Sequence, residues 1–284
     1  MQYRAGDLDL GYEIEGEGPD VLFMHGLAAD RRQAARCLDT LDGFRVITMD
    51  LPGHGSSPLL GRCPLADQVG FRAYGEAAMR LLSGLGVTTA YVGGISMGAS
   101  VALAMAIASP ALVSGLLLIR PAWVNAPARP HLDLLADMGH WIADGGGAAA
   151  RRRLVNDGRF AEIRDSVPEC AKGLVQTTQR THVTTAPRVL PTMVDDRPYE
   201  SDSELERCTT PALVVSGNHD PLHPRWVADH LEASLPDAVA RIVPPRYLQP
   251  ELHERAVADV IRSFLGRCVE PTNTHHPETT GGPA

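Results

Sequence analysis

Over the first 120 residues, short unbroken apolar runs alternate with longer stretches of helical period. Val21-Leu22-Phe23-Met24, Arg45-Val46-Ile47-Thr48-Met49, Ala90-Tyr91-Val92-Gly93-Gly94-Ile95 and Gly115-Leu116-Leu117-Leu118-Ile119 are each followed closely by Gly, Pro or Asp. Runs without polar alternation are those of strands buried on both faces, as in a parallel sheet. Between them the pattern predicts helices over 68–85 and 99–108; the second is apolar all round, so it must lie buried against the sheet, and Pro110 stops it. Strands joined by crossover helices predict an α/β fold with a mostly parallel, doubly wound sheet.

After Pro121 the pattern becomes helical, Gly-interrupted and Trp-containing, and sheet periodicity vanishes until Ala212-Leu213-Val214-Val215-Ser216 and Val239-Ala240-Arg241-Ile242-Val243, with an amphipathic helix over 254–265 behind them. The predicted organisation is a core formed by 1–120 and 208–266, a helical lid over 121–207 covering the strand ends, and a Pro- and Gly-containing disordered tail over 267–284. His275-His276 in that tail read as solvated.

Composition narrows the partners. A hydrophobic fraction of 44% with 21% charged residues fits a globular chain and not a disordered one. A net charge of -8 argues against nucleic acid, and the only dense basic cluster, Arg151-Arg152-Arg153, reads as a solvated helix face. No apolar run approaches the ~20 residues of a membrane span. The polar start Met1-Gln2-Tyr3-Arg4-Ala5-Gly6-Asp7 lacks a secretory layout, so the expected location is cytoplasmic, with no membrane partner. Cys37, Cys63, Cys170, Cys208 and Cys268 are odd in number and show no CxxC spacing, which predicts reduced thiols and no metal site. The expected partner is a small-molecule substrate; oligomeric state is left open.

The chemistry gathers at strand ends. Gly94-Ile95-Ser96-Met97-Gly98 falls where a strand stops and a buried helix starts, the context in which G-x-S-x-G presents a serine nucleophile. Small flanking residues suit a sharp, strained turn. His25-Gly26-Leu27 follows an earlier strand, and the Leu27 and Met97 amides are placed to hold an oxyanion beside Gly26. Asp50-Leu51-Pro52-Gly53-His54-Gly55-Ser56-Ser57 forms a Gly-rich loop after the second strand. His25 and His54 read as structural in these turns, and His140 and Trp141 as packing residues.

With the HG turn, the D-x-P-G-H-G-x-S loop and the serine turn in this order, the chain resembles the α/β-hydrolase-fold family over about 10–120 and 210–265. The resemblance implies a Ser-His-Asp triad and an oxyanion hole, with no cofactor. It nominates Asp220, in Ser216-Gly217-Asn218-His219-Asp220-Pro221, as the acid that orients the histidine. The usual Gly-His after the last strand is missing: Arg246 or Tyr247 stands at the matching position, and neither is a base at neutral pH. His253 is the leading candidate, by its offset from Phe264-Leu265; His223, three residues past Asp220, is the rival, and loss of the base is the third possibility. Arg120, at a strand end, reads either as a binder of substrate carboxylate or as an ion-pair anchor. Trp123 reads either as a pocket wall or as packing. The function that follows is cleavage of an ester, thioester or related acyl bond of a small molecule. The alternative is a hydrolase-fold protein with an altered site that binds a small ligand or catalyses a non-hydrolytic step.

Overall fold

The computed structural model describes residues 1–38, 41–61, 63–126 and 129–269. Eight strands, β1 (Gln2–Ala5), β2 (Leu8–Glu15), β3 (Asp20–Met24), β4 (Arg45–Met49), β5 (Ala90–Ile95), β6 (Val113–Ile119), β7 (Ala212–Gly217) and β8 (Ala238–Val243), form one sheet in the order β1-β2-β4-β3-β5-β6-β7-β8. From β4 to β8 every pairing is parallel; β1 and β2 are antiparallel additions at one edge. The six apolar runs in the sequence are six of these strands. β1 and β2 left no unbroken apolar run, because β1 alternates between half-buried and exposed positions, β2 is mostly half-buried, and both carry charged side chains such as Arg4, Asp9 and Glu13.

Alternation across the pleat divides the core. One face takes Leu22, Val92, Leu116 and Leu118 against α2 (Phe71–Gly84), α3 (Met97–Ala108) and α10 (Arg225–Ser234). The other takes Val21, Phe23, Tyr91 and Leu117 against α1 (Arg31–Leu38) and α11 (Pro250–Val269). α3 is buried nearly all round, as its uniformly apolar sequence requires. α2 covers the centre of the predicted 68–85 helix. α11 begins four residues before the predicted 254 and runs on to Val269, so 267–269, expected in the tail, are helical; the remainder of that tail, with His275 and His276, lies outside the described residues.

Between β6 and β7 the chain forms α4 (Asp133–Val155, broken at Gly146), α5 (Gly158–Ser166), α6 (Pro168–Thr177), α7 (Thr181–Thr185), α8 (Val189–Asp195) and α9 (Asp202–Arg207). Leu134, Met138, Leu174 and Leu190 from this stretch join the same apolar cluster as α2 and α3, so the helices are packed onto the core. Among the described residues no helix is long and apolar enough to cross a membrane.

Candidate active site

The backbone is most strained along the carboxyl edge of the sheet. Among the described residues four non-glycine residues have positive φ, Ala28 (61°), Ser96 (57°), Arg120 (50°) and His219 (56°), and they follow β3, β5, β6 and β7 in turn. Left-handed backbone at such residues is unfavourable and persists where surrounding structure over-determines it, commonly at functional sites. Ser96, with ψ -111°, joins β5 to α3, and its amide donates to the Ile119 carbonyl at 2.9 Å, which fixes the bend to β6. The two glycines of the pentapeptide are dictated by the chain after β3. A Cβ on Gly94 would stand 2.5 Å from the Met24 carbonyl oxygen, and one on Gly98 would run into the same oxygen and lie 2.9 Å from that of His25. Gly26 faces the serine directly: a Cβ there would lie 3.5 Å from Ser96 Cβ.

Ser96 opens onto a cavity of about 440 Å³ lined from the core by Gly26, Leu27, Ala28 and Arg120 and from the helical stretch by Leu132, Leu135 and Leu174. Among the described residues, no protein acceptor takes the Leu27 or the Met97 amide. Leu27 borders the cavity, and Met97 N–H is one of the first-turn donors that a helix leaves free. Each amide is therefore free to donate to a ligand.

Asp220 is fully engaged. Its Oδ2 accepts from Arg120 Nε (2.8 Å) and Nη2 (2.5 Å), and its Oδ1 lies 2.8 Å from His223 Nδ1. Burial works to raise its pKa, but His223 and Arg120 together outweigh it and hold the carboxyl well below the usual range. Arg120 is therefore spent on the acid, in an ion pair between two strand ends, although it still borders the cavity. Burial first, and then the Arg120 charge, push His223 down to about 4, so it is neutral at pH 7. Its tautomer follows from its neighbours. Arg120 Nη2 also lies 2.9 Å from Nδ1 and keeps a second hydrogen, but an ionised Oδ1 only 2.8 Å from a bare ring nitrogen would be repelled, and this closer contact to the charged oxygen decides the tautomer. Nδ1 therefore carries the proton toward Asp220, which leaves Nε2 as an acceptor.

The structure does not bring His253 to Asp220. Its Nδ1 pairs with the Pro244 carbonyl at 2.9 Å, and it lines a side cavity of about 40 Å³ behind Arg120 and Arg246. The reason is the early start of α11: His253 sits in the first turn of that helix, on the face packed against the core, 4% exposed. Burial leads its downward shift to about 4. The histidine that shares the main cavity with Ser96 is His223. Tyr247 is one of the two residues, with Arg246, at the position where the resemblance expects a histidine. Its ring lies under the Arg120 guanidinium at 5.8 Å, and burial pushes its hydroxyl up, beyond use as a base. Trp123 borders the cavity but is 1% exposed, with Nε1 donating to Met193 and its ring edge-on to Phe71, so it chiefly ties α8 to the core.

His25 and His54 are structural: His25 Nε2 accepts from Leu51 N–H at 3.0 Å and His54 Nε2 from Ala28 N–H at 3.3 Å, and burial lowers the pKa of both. Sequence reasoning did not find the pair Arg180 and His182, which reach from the helical stretch to the Ala28 carbonyl. Nor did it find Arg246 as a cavity residue. Both lie where no local pattern marks them. Among the described residues no group of three or more His, Cys, Asp or Glu side chains is placed to hold a metal ion.

Several known proteins are similar to the chain in sequence. The chain is 29% identical over 260 residues to the dihydrolipoyllysine-residue acetyltransferase component of the acetoin cleaving system of Cupriavidus necator, which covers 84% of this chain but 62% of that longer protein. It is 27% identical to the magnesium-chelatase 30 kDa subunit of Rhodobacter capsulatus, covering 92% of this chain and 93% of that one. It is 29% identical to the pimeloyl-[acyl-carrier protein] methyl ester esterase of Chromobacterium violaceum, over 90% and 97% of the two chains. The model of the alpha/beta hydrolase fold matches residues 19–246, and with strands, serine turn and acidic turn in place the chain belongs to that family.

Proposed function

We propose that the protein is a serine hydrolase acting on an ester or thioester of a small molecule, with the 121–207 helices as the lid of its substrate cavity. Ser96 Oγ attacks the acyl carbon, His223 Nε2 takes the hydroxyl proton and later returns it to the leaving group, Asp220 orients the imidazole, and the Leu27 and Met97 amides hold the oxyanion. The observation that carries this reading is the φ of 57° at Ser96 beside two amides with no protein acceptor. A binder has no use for that strain. The esterase among the relatives supports the ester class.

A second reading, slow or non-hydrolytic chemistry on the same site, is favoured by one feature. Arg120 sits against both Asp220 and His223, and a base held near a pKa of about 4 drives proton transfer weakly at neutral pH.

Labelling with a fluorophosphonate probe separates the readings. Rapid labelling is expected in the native protein and none in Ser96→Ala. His223→Ala is expected to slow labelling by about three orders of magnitude, as for loss of a triad base, whereas His253→Ala stays within a few-fold of native. Labelling abolished by His253→Ala and not by His223→Ala would move the base to His253. No labelling of the native protein would remove the hydrolase reading.

A further inference from the structure

Basic side chains dominate the cavity above Ser96, although the chain as a whole carries a net charge of -8. Arg120, Lys172, Arg180, His223 and Arg246 all line it, against one acidic side chain, Glu169. Most of this charge is accounted for. Asp220 neutralises Arg120, Glu169 lies 3.5 Å from Lys172, and His223 is neutral. Arg180 donates to the Ala28 carbonyl, which satisfies a proton but supplies no countercharge. Arg246 has no contact partner: among the described residues it makes no hydrogen bond and no ion pair, and Asp220 and Glu254 favour its charge only from beyond pairing distance.

Burial and the neighbouring Arg120 both work against the charged form of Arg246, yet a guanidinium starts so far above neutrality that it keeps its proton. A cation partly withdrawn from water without a partner is costly, and the cost is recovered when an anion arrives. The rest of the cavity describes the body of that anion. Leu27, Leu132, Leu135, Leu174 and Leu222 supply an apolar wall. We propose that Arg246 is the receptor for a carboxylate carried by the substrate, so that the ligand class is an ester or thioester with an aliphatic body and a free carboxylate. This deepens the reading of the Ser96 cavity as a substrate site and rests on it. It also gives a role to one of the two residues, Arg246 and Tyr247, that stand where the family resemblance expects the histidine. A planar fork with up to two parallel N–H donors fits a carboxylate better than a lysine would.

Binding to the catalytically silent Ser96→Ala protein tests this independently of turnover. Calorimetric titration with glutarate is expected to show saturable binding, with the uncharged glutaramide binding at least about tenfold more weakly, the equivalent of one charge-assisted hydrogen bond. Adding Arg246→Gln should remove that preference, and Arg246→Lys should restore part of it. Thermal melting without ligand should show both variants folded, with Arg246→Gln no less stable because it deletes an unpaired charge. In the active protein, the ratio of kcat/KM for mono-p-nitrophenyl glutarate over p-nitrophenyl butyrate should fall about tenfold or more in Arg246→Gln. Glutarate bound by Ser96→Ala with no ester cleaved by native protein would sink the hydrolase reading and leave Arg246 as a carboxylate receptor. Glutarate bound no better than glutaramide, or bound equally in Arg246→Gln, would overturn the proposal.

Discussion

Gly98 shows how tightly individual atoms define the serine turn. The helix that begins at Met97 passes so close to the end of β3 that an added methyl would press on the Met24 and His25 carbonyls, and backbone oxygens cannot step aside as side chains do. Gly98→Ala is therefore expected to cost about 2 kcal/mol or more of stability, read as a lower urea midpoint, and to abolish fluorophosphonate labelling together with it. An unchanged midpoint would mean that the bend is looser than its contacts imply. The same tightness explains why Ser96 was legible from sequence: the glycines that the turn demands lie within two residues of it. Asp220 was legible for a similar reason, as a turn residue after a strand. The proposed base stood only second, because such a base is selected by distance in space. From sequence His223 is the rival three residues past Asp220, while the offset from Phe264-Leu265 points to His253, whose imidazole α11 turns toward Pro244.

At the level of elements, the connection between α7 and the turn after β3 has a consequence for catalysis. Arg180 and His182 both reach the carbonyl of Ala28, and Ala28 holds an unfavourable φ of 61° next to the Leu27 amide. In the proposed mechanism the helical stretch thus steadies one half of the oxyanion site. Arg180→Ala is expected to lower kcat toward the neutral p-nitrophenyl butyrate about tenfold with a smaller change in KM, because the Leu27 donor loses its fixed aim. His182→Ala should act in the same direction and more weakly, given its 3.2 Å contact. Unchanged kcat in Arg180→Ala would show that the turn holds its shape unaided. None of this was readable beforehand, since contacts 150 residues apart leave no trace in local pattern. The strands of the parallel sheet were readable, because burial on both faces writes an unbroken apolar run. α1, with Arg32 and Arg36 exposed and Arg31 paired to Asp50 and Glu13, hid its apolar stripe of Ala34 and Leu38.

For the whole molecule, pH is the lever that reads the most groups at once. His25, His54, His131, His182, His223 and His253 all have pKa values lowered by burial, to about 4 for the last two. In the unfolded chain each titrates near ~6.5, so between that value and its folded one the unfolded state binds more protons, and stability must rise with pH there. Taken downward, stability contributed by these neutral histidines is complete above about pH 7, drains away below ~6.5, and for His223 and His253 is exhausted by about 4. Asp50 and Asp220 have the opposite history but the same direction of loss: their lowered pKa values stabilise the fold above ~3.8 and cease to do so in stronger acid. The melting temperature is thus expected to be flat from pH 8 to 7 and to fall steadily from about 6.5 to 4. His253→Gln should make that slope shallower, because the glutamine amide can still donate toward Pro244 without titrating. Short assays on folded protein should meanwhile keep kcat/KM level down to about pH 5, since the proposed base His223 stays unprotonated there. A rate falling with an apparent pKa near ~6.5 while the fold remains intact would mean that the base is a solvent-accessible histidine, and that the Asp220–His223–Arg120 cluster only fastens two strand ends together.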